Sequence, residues 1–440
     1  MKLTILGAGE SGVGAAMLAQ QLGYDVMVSD FGKIAERYKE ELEKQSLPYE
    51  EGEHTWQRIS EADEVIKSPG IPDTAPVVQR FLAQGTPVIS EIEFAARHTN
   101  APVIAITGSN GKTTSTYLTH HLLQTAGKRV AMGGNVGRSF ARQVIGTSVD
   151  IWVLELSSFQ LEGIVDFCPQ VAVVLNITPD HLDRYEYDFE RYAAAKMRIG
   201  NNQTGSDWLL LNETLRDRPE LDRLRGQRVF VSNHFPNPDK IVVDRYEFDL
   251  RASAIRGAHN RFNAACAARA ALLVGASPEA IQRGLSSFVP VPHRLEPVGE
   301  LHGVRYLNDS KATNVDAVFY ALQAVPGPIV WIAGGTDKGN DYTELMPLVK
   351  ERVVALVCLG VDNEKLKTTF NGSVEQIIET GSADEAVRTA RQLAEPGATV
   401  LLSPACASFD LFKNYEDRGD QFRAAVQQLI AEEEEPKQKE

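Results

Sequence analysis

Residues 104–114 read IAITGSNGKTT and determine how the central part of this chain folds. The apolar run at 103–106 predicts a β-strand, and the helix-like pattern through 117–123 predicts a helix soon after it. The segment between them is shorter than the common P-loop, GxxxxGK followed by Ser or Thr, which would need a glycine where Ile106 stands. Strand, short glycine loop and helix together predict a phosphate-binding turn.

The residue types in this loop suit a nucleoside triphosphate. Gly108 and Gly111 can adopt backbone angles that turn N–H groups inward, and the following helix adds the positive end of its dipole. Lys112 supplies a positive charge for the β- and γ-phosphates, and the Thr113 hydroxyl is placed to bind the accompanying Mg²⁺. The loop therefore predicts a site for a nucleoside triphosphate and magnesium.

The composition narrows the class of protein. With 440 residues, of which 43% are hydrophobic and 24% charged, the chain is expected to be globular, with two to four domains. A net charge of −14 argues against nucleic acid as the main partner, which normally requires a basic surface. The chain opens in a strand-like KLTILGAG and holds no run of about eighteen apolar residues, so neither secretion nor membrane insertion is expected.

The cysteines favour a reducing compartment. They are far apart and match no CxxC or zinc-binding spacing, so we expect neither disulfides nor structural zinc, and a cytoplasmic location fits best. The four are Cys168, Cys266, Cys358 and Cys406. The last ten residues, 431–440, are charged and lack apolar anchors, which predicts a flexible, solvated tail.

A second glycine pattern occurs near the N-terminus. Residues 3–29 read as strand, helix and strand, and Gly7, Gly9 and Gly12 spell GxGxxG in the first turn. Asp30 stands where a dinucleotide-binding fold places an acid on a ribose hydroxyl. On this segment alone a nicotinamide or flavin enzyme is the leading interpretation, and a tight turn that accepts any diphosphate is the alternative.

Polar side chains follow strands predicted for the central part of the chain. Glu155 ends one apolar strand, Asp180 and His181 follow the next, and Lys196 lies on a helix-like stretch. Because parallel strands bind ligands at their carboxyl ends, these side chains are expected near the phosphate loop, with Glu155 as a metal-binding acid. His181 taken alone would more often be a capping or core histidine.

Three further clusters are rich in hydrogen-bonding groups, although such loops are often only turns. GAHNRFN places Asn260 and Asn263 on one helical face by their spacing. The other two clusters are PHRLE, with His293 and Arg294, and YLNDSKATN, with Asp309, Ser310, Lys311, Thr313 and Asn314. Strands and helices alternate throughout, which predicts an α/β protein of three units, at 1–92, 93–294 and 295–440.

Nine strings occur in one order along the chain: TGSNGKTT, GGNVG, LELSSFQLE, NITPDHLDR, GAHNRFNAACAA, VPHRLE, NDSKATN, GGTDKG and SPACASFDLFKNYEDRG. In that order they resemble the Mur ligases. NDSKATN and SPACASFD resemble the branch that joins D-glutamate to UDP-N-acetylmuramoyl-L-alanine, because other branches and folylpolyglutamate synthase differ there. The resemblance implies an N-terminal Rossmann-like domain for the UDP group, a central P-loop ATPase-like mononucleotide-binding domain, and a C-terminal Rossmann-like domain for the incoming amino acid.

The resemblance also implies a reaction. ATP phosphorylates the alanyl carboxylate, and the amine of D-glutamate displaces phosphate from the acyl phosphate through a tetrahedral intermediate, giving ADP and phosphate. The matching catalytic residues are Lys112, Glu155, His181 and Lys196. Two Mg²⁺ ions are implied, held by Thr113, Glu155, His181 and Lys196, the last as a carbamate formed with CO₂.

Binding residues follow from the same matches. Those for ATP are Gly108, Ser109, Asn110, Gly111, Lys112, Thr113, Thr114, Asn260, Asn263, Arg294 and Asp309. Those for the UDP substrate are Glu10, Ser11, Asp30, Phe31, Gly70, Asn135 and His181. Those for D-glutamate are Thr313, Lys338, Ser408, Phe409 and Tyr415. Phe409 and Tyr415 replace the familiar leucine and phenylalanine, which leaves the amino-acid preference less secure than the reaction type.

Three alternatives stay open at this point. A nicotinamide-dependent oxidoreductase would use GxGxxG but leaves Lys112, Glu155 and Lys196 unexplained. An ATP-dependent switch would bind ATP without forming an amide. Folylpolyglutamate synthase is the nearest other enzyme, although it is not expected to carry the extra N-terminal domain. The resemblance favours a monomeric cytoplasmic ligase of small-molecule substrates, with neither nucleic acid nor a membrane as a partner.

Overall fold

The computed structural model describes residues 1–255, 257–289, 291–337 and 339–434. Their contacts form two compact units, one made of Met1–Ser253 with Asn260–Phe288 and the other of Ala254–His259 with Val289–Glu440. Residues 431–434 of the predicted flexible tail are helical, contrary to the prediction, and the rest of it, residues 435–440, lies outside the described residues. Within the described ranges no helix is both long and apolar enough to cross a membrane.

The first sheet of unit one has five parallel strands in the order β3-β2-β1-β4-β5. They are β1 Lys2–Leu6, β2 Asp25–Asp30, β3 Tyr49–Glu51, β4 Glu64–Lys67 and β5 Val88–Ser90. The helices are α1 Glu10–Gln21, α2 Glu36–Lys44, α3 Trp56–Ile59, α4 Pro76–Ala83 and α5 Glu91–Ala96. The strand order reverses between β1 and β4, and such switch points leave a crevice at the carboxyl ends of the strands.

The turn from β1 into α1 requires glycine at two positions. Gly7 has a φ of 89°, in the left-handed region that side chains disfavour. A Cβ on Gly12 would lie 1.8 Å from the carbonyl oxygen of Gly7, so α1 packs closely on the end of the strand. The GxGxxG pattern is explained by this close approach.

The second sheet of unit one has six parallel strands in the order β11-β10-β9-β6-β8-β7. They are β6 Val103–Thr107, β7 Val130–Gly134, β8 Ile151–Glu155, β9 Val171–Val174, β10 Trp208–Asn212 and β11 Gln227–Val231. The helices are α6 Lys112–Thr125, α7 Phe140–Val144, α8 Ser158–Glu162, α9 Phe189–Met197, α10 Ala258–Leu273 and α11 Pro278–Ser287. A separate hairpin pairs β12 Lys240–Val243 with β13 Tyr246–Asp249.

Strand β6 is the centre of this second sheet. All five of its residues are buried, as expected for a parallel strand with neighbours on both sides. The chain leaves β6 at the carboxyl edge of the sheet and enters α6 after four residues, which confirms the predicted strand, loop and helix.

Unit two contains a six-stranded sheet in the order β14-β15-β19-β16-β17-β18, parallel except for the antiparallel pair β14 and β15. Its strands are β14 Glu296–Leu301, β15 Val304–Asn308, β16 Ile329–Ala333, β17 Val353–Leu359, β18 Gln376–Thr380 and β19 Thr399–Leu402. Its helices are α12 Val315–Ala324, α13 Met346–Arg352, α14 Glu364–Phe370, α15 Ala383–Leu393 and α16 Tyr415–Glu434. The α/β class is confirmed, whereas the domain boundaries at 92 and 294 stay predictions.

Candidate active site

The phosphate loop lies between β6 and α6. Gly108 and Gly111 have φ values of 154° and 83°, both in the range that favours glycine. The Nζ of Lys112 donates to the carbonyl oxygens of Gly108 and Ser109, at 2.7 and 2.8 Å, so the lysine lies against its own loop. Thr113 is buried in the first turn of α6. The loop thus has the backbone and the charge that a triphosphate requires.

A segment after β9 holds this loop in place. The side chain of Asn176 accepts the N–H of Asn110 at 2.8 Å and donates to its carbonyl oxygen at 3.0 Å. The Oγ of Ser109 donates to the carbonyl oxygen of Thr178 at 2.8 Å. The sequence interpretation missed Asn176; its place directly after a buried strand of the same sheet was the available signal.

The helix α10 closes one side of the loop. A Cβ on Gly111 would lie 2.4 Å from the Oδ1 of Asn263, so the asparagine packs directly on the glycine. The Nδ2 of Asn263 donates to the Oδ1 of Asn260 at 3.3 Å, which confirms that both asparagines share one helical face. Thr114, in the first turn of α6, is only partly buried.

Lys196 on α9 is 2% exposed and reaches the same loop. Its Nζ donates to the carbonyl oxygen of Gly108 at 2.9 Å and lies 4.6 Å from the centre of the Tyr192 ring. Burial, and then the charge of Lys112, hold the pKa of Lys196 well below its usual range, although Asp180 and Glu155 oppose the shift. Burial and the neighbouring Lys112 charge thus favour the neutral amine over the ammonium at this position.

Glu155 lies at the carboxyl end of β8, as predicted, and is 1% exposed. The Nδ2 of Asn135 donates to its Oε1 at 2.9 Å, and the backbone N–H of Asn135 donates to the Glu155 carbonyl oxygen at 2.8 Å. Asn135 thus orients a buried carboxylate at the edge of the sheet that carries the phosphate loop.

His181 follows β9 and has a φ of 51°. Its Nε2 lies 3.7 Å from the Oδ2 of Asp180, and its ring contacts the ring of Phe159 edge-on, with centres 5.3 Å apart. Among the described residues no group of three or more His, Cys, Asp or Glu side chains could hold a metal ion. Mg²⁺ binds through one or two carboxylates, waters and substrate phosphates, so the buried Glu155 beside a phosphate loop fits this ion.

A cavity of about 630 Å³ lies at the switch point of the first sheet. All five residues of the first domain that were expected to contact UDP line it, namely Glu10, Ser11, Asp30, Phe31 and Gly70. Phe31 is 73% exposed at its edge, and the cavity also includes His54, which the sequence interpretation missed. Asn135 is not among the lining residues.

Asp30 also has a structural role in this cavity. Its Oδ2 accepts the N–H of Ala8 at 2.7 Å and its Oδ1 accepts that of Gly32 at 2.8 Å. Each carboxylate oxygen can accept a second hydrogen bond, so a ribose or uracil donor remains compatible with both. The carboxylate fixes the two loops that form the cavity mouth.

In unit two, Asp309 is 7% exposed at the end of β15. Its Oδ2 accepts the Ser403 hydroxyl at 2.9 Å and its Oδ1 accepts the Leu295 N–H at 3.1 Å. Burial raises the pKa of Asp309 to about 7, against the opposing effects of Ser403 and the Arg294 charge. The structure thus brings together Asp309 and Arg294, two of the residues expected to bind ATP.

Of the residues expected to bind D-glutamate, Thr313, Ser408 and Phe409 lie on loops of unit two, and Tyr415 begins α16. Ser408 is 2% exposed, Phe409 is 74% exposed and Thr313 is partly buried. The Tyr415 ring lies 4.9 Å from the Nζ of Lys311. Lys338 lies outside the described residues.

The sequence interpretation missed Arg418, which organises these loops. Arg418 is 1% exposed on α16, and burial lowers its pKa to about 10. Its guanidinium donates to the carbonyl oxygens of Ser310 at 2.9 Å, Cys406 at 3.3 Å and Gly334 at 3.4 Å. One buried cation thereby joins three loops at the carboxyl edge of the sheet.

Comparison with known proteins agrees with this geometry. The Mur ligase MurD-like N-terminal domain matches residues 1–90, the Mur ligase middle domain matches 106–271, and the Mur ligase glutamate ligase domain matches 293–406. The UDP-N-acetylmuramoylalanine–D-glutamate ligase of Porphyromonas gingivalis is 50% identical over 446 residues, covering 97% of this chain and 98% of the relative. That of Christiangramia forsetii is 48% identical over 442 residues, covering 97% and 99%.

A solved structure shares the fold. The UDP-N-acetylmuramate-alanine ligase MurC of Thermotoga maritima superposes with a TM-score of 0.62 at 18% identity, covering 97% of this chain and 99% of that one. The matched domains cover most of the chain and the relatives match it almost from end to end. This chain belongs to the Mur ligase family.

Proposed function

We propose that this chain is the ligase that adds D-glutamate to UDP-N-acetylmuramoyl-L-alanine with the hydrolysis of ATP. The observation that carries the proposal is the similarity, over nearly the full length, to two such ligases, together with a glycine loop that lies against two lysines, Lys112 and Lys196. The cavity at the switch point of the first sheet would hold the UDP group, with its diphosphate near the turn at Gly9.

The reaction needs ATP because an amine cannot displace oxide from a carboxylate. The γ-phosphoryl group passes to the alanyl carboxylate, which makes the acyl phosphate and ADP. The amine of D-glutamate then attacks the carbonyl carbon and loses a proton, after which the C–O bond to the phosphate breaks and phosphate leaves with its electron pair. Negative charge accumulates at each step, and Lys112 together with the loop N–H groups would offset it.

Magnesium would be held by Thr113, Glu155 and His181, and when bound it would neutralise phosphate charge. We propose that Lys196 contributes a further oxygen as a carbamate. A neutral amine is the form that attacks CO₂: the nitrogen bonds to carbon, one proton is released, and the neutral side chain becomes an anion. The lowered pKa of Lys196 supports this step.

One assay tests the activity. Protein, ATP, Mg²⁺ and UDP-N-acetylmuramoyl-L-alanine are incubated with a panel of D- and L-amino acids, and amide product and phosphate are both measured. We expect equal amounts of product and phosphate with D-glutamate and neither without the UDP substrate. Failure to form the amide with D-glutamate would overturn the proposal, and dependence on a nicotinamide cofactor would favour the oxidoreductase.

The carbamate has its own test. Protein is equilibrated with ¹³C-labelled bicarbonate, and the carbamate carbon is sought by NMR in the wild type, in Lys196→Met and in Lys67→Met. Lys67 is the matched control because it is 3% exposed but forms an ion pair with Asp73 at 3.0 Å. We expect one signal that only Lys196→Met removes. A wild type without that signal refutes the carbamate.

We further propose that the protein acts as a monomer in the cytoplasm. Two of the three substrates, ATP and the UDP substrate, are nucleotides, and Cys168, Cys266 and Cys358 are free thiols, which fits a reducing compartment. Light scattering of the purified protein with its substrates checks the first point, since a stable dimer would contradict it. Cell fractionation of the native host checks the second.

A further inference from the structure

An arginine joins the cavity of the first domain to the segment that carries His181. Arg184 lies in the short 3₁₀ turn Leu182–Tyr185, directly after His181. Its guanidinium donates to the carbonyl oxygens of Gly70 at 3.2 Å, Ile71 at 3.1 Å and Pro69 at 3.4 Å. These three residues line the cavity proposed for UDP. The arginine and its acceptors are more than a hundred residues apart in sequence.

The Arg184 guanidinium also contacts a ring that packs against His181. It lies 4.8 Å from the centre of the Phe159 ring, and that ring contacts the His181 ring edge-on. Glu162, on the same helix as Phe159, pairs with the guanidinium at 3.3 Å. Arg184 is 16% and Glu162 17% exposed at the side chain, so the pair is largely shielded from solvent. A planar guanidinium can stack on a ring and donate along its edge at once, which lysine cannot do.

The cavity wall next to Arg184 is also held by hydrogen bonds to its neighbours in the first domain. The carbonyl oxygen of Ile71 also accepts the Nζ of Lys67 at 2.7 Å, and the Ser68 hydroxyl donates to Gly7 at 3.4 Å. A ligand that shifts the 69–71 segment displaces the acceptors of the Arg184 guanidinium, which also lies against the Phe159 ring. Packed contacts of this kind transmit small displacements between sites.

We propose that Arg184 is a positioning residue that couples binding of the UDP substrate to the placement of His181 at the nucleotide site. The proposal rests on the proposed function, because it assigns UDP to the cavity and phosphate chemistry to the loop. A ligand in the cavity restrains the 69–71 segment, and the restrained segment holds the Arg184 guanidinium in place. The guanidinium in turn holds the Phe159 ring, against which the His181 ring packs. Affinity for nucleotide with Mg²⁺ is then higher when the UDP substrate is bound, and the reverse also holds.

The test measures binding and turnover in wild type, Arg184→Gln and Arg184→Lys. Binding of a non-hydrolysable ATP analogue with Mg²⁺ is titrated with and without UDP-N-acetylmuramoyl-L-alanine. We expect the UDP substrate to tighten analogue binding by about tenfold in the wild type and by less than about threefold in Arg184→Gln, with Arg184→Lys between them. Without the UDP substrate, the wild type and the two variants should bind the analogue with affinities that agree within about twofold.

Turnover separates positioning from simple structural support. Arg184→Gln should lower kcat about tenfold and raise the KM for the UDP substrate, while the KM for D-glutamate changes less than about twofold. Arg352→Gln is the matched control, since Arg352 also donates to three carbonyl oxygens, of Leu322, Gln323 and Val325, in unit two. Its kinetics should stay unchanged.

The outcomes are distinguishable. A wild type that makes the amide while Arg184→Gln keeps wild-type coupling and kcat overturns this inference alone. A melting temperature that falls equally in Arg184→Gln and Arg352→Gln, with unchanged kinetics in both, shows a structural role only and also overturns it. If Arg184→Gln does not fold, Arg184→Lys decides by the same coupling factor. A wild type that binds no UDP substrate refutes the proposed function, and the inference with it.

Discussion

Replacement of Glu91 by glutamine is expected to remove a loss of folding stability that unit one undergoes as the pH rises. Glu91 begins α5 and is 2% exposed. Its Oε1 accepts the backbone N–H of Ala141 on α7, and its Oε2 is buried with no hydrogen-bond partner among the described residues. Burial, with a smaller contribution from the charge of Glu10, raises the pKa of Glu91 from 4.5 to about 8.

Whether the free energy of unfolding rises or falls with pH depends on which state, folded or unfolded, holds the proton on Glu91. Because the pKa is higher in the folded state, the folded protein keeps a proton that the unfolded chain releases above pH 4.5. Stability from this group is complete below pH 4.5 and is lost as the pH rises to about 8. At about 1.4 kcal/mol per pH unit, the window of about 3.5 units between these values costs at most about 5 kcal/mol.

The assay compares melting temperatures of wild type and Glu91→Gln from about pH 5 to about pH 9. Glutamine has the shape of the protonated acid and keeps an oxygen that can accept the Ala141 N–H. At the acidic end the wild type and the variant should therefore have the same melting temperature. At the alkaline end the variant should melt higher, by up to about 10 °C if each kcal/mol shifts the transition by about 2 °C. Equal pH profiles would refute the reasoning, because a neutral Glu91 could not then exist in the folded protein.

Glu93, on the same helix, is the matched control. Its Oε2 accepts the N–H groups of Val165, Asp166 and Phe167, at 2.9, 3.0 and 2.9 Å, and its Oε1 pairs with Arg97 at 3.0 Å. Glutamine has one oxygen acceptor where the carboxylate has two, and its NH₂ group cannot accept a hydrogen bond. Glu93→Gln should therefore lower the melting temperature at both ends of the pH range, opposite to Glu91→Gln.

Three further predictions concern the sites. Gly111→Ala should weaken binding of an ATP analogue at least tenfold (about 1.4 kcal/mol) in calorimetry, because its Cβ would lie 2.4 Å from the Asn263 amide; unchanged affinity would contradict the loop assignment. Tyr192→Phe, which loses the 2.9 Å contact with the Ser109 hydroxyl, should cost about 1 kcal/mol in thermal unfolding and weaken nucleotide binding only slightly. Arg418→Lys should raise the KM for D-glutamate about tenfold with little change in the KM for ATP, since lysine cannot reach three loops; equal changes in both would contradict it.

The phosphate loop was predictable from sequence because its determinants are local. An apolar strand, two glycines and a helix within eleven residues fix the turn, and the structure places Gly108 and Gly111 in the glycine-favoured region. The same reasoning located Glu155 at a strand end. Such positions follow from chain direction in a parallel sheet, where every strand delivers its last residue to one edge.

Other features depend on distant segments and could not be predicted in this way. The sequence EIEF at the start of α5 carries no local signal of burial, yet Glu91 and Glu93 are buried because backbone N–H groups from α7 and from 165–167 meet them. Strand β14 was missed because its sequence, EPVGEL, contains proline and glycine and buries only one residue fully. Pairing with β15 stabilises it despite that composition.

The short glycine loop brings two lysines, Lys112 and Lys196, to the same backbone acceptor. In a loop of this length the carbonyl oxygen of Gly108 accepts both Lys112 and Lys196, at 2.7 and 2.9 Å, and two ammonium groups on one acceptor repel. Lys196 is the one whose pKa falls, because burial disfavours its charge and the charge of Lys112 adds to the effect. Lys112 is the more exposed of the two. Under the proposed function Lys112 would contact the triphosphate, and Lys196 would be the amine that CO₂ converts into a metal ligand.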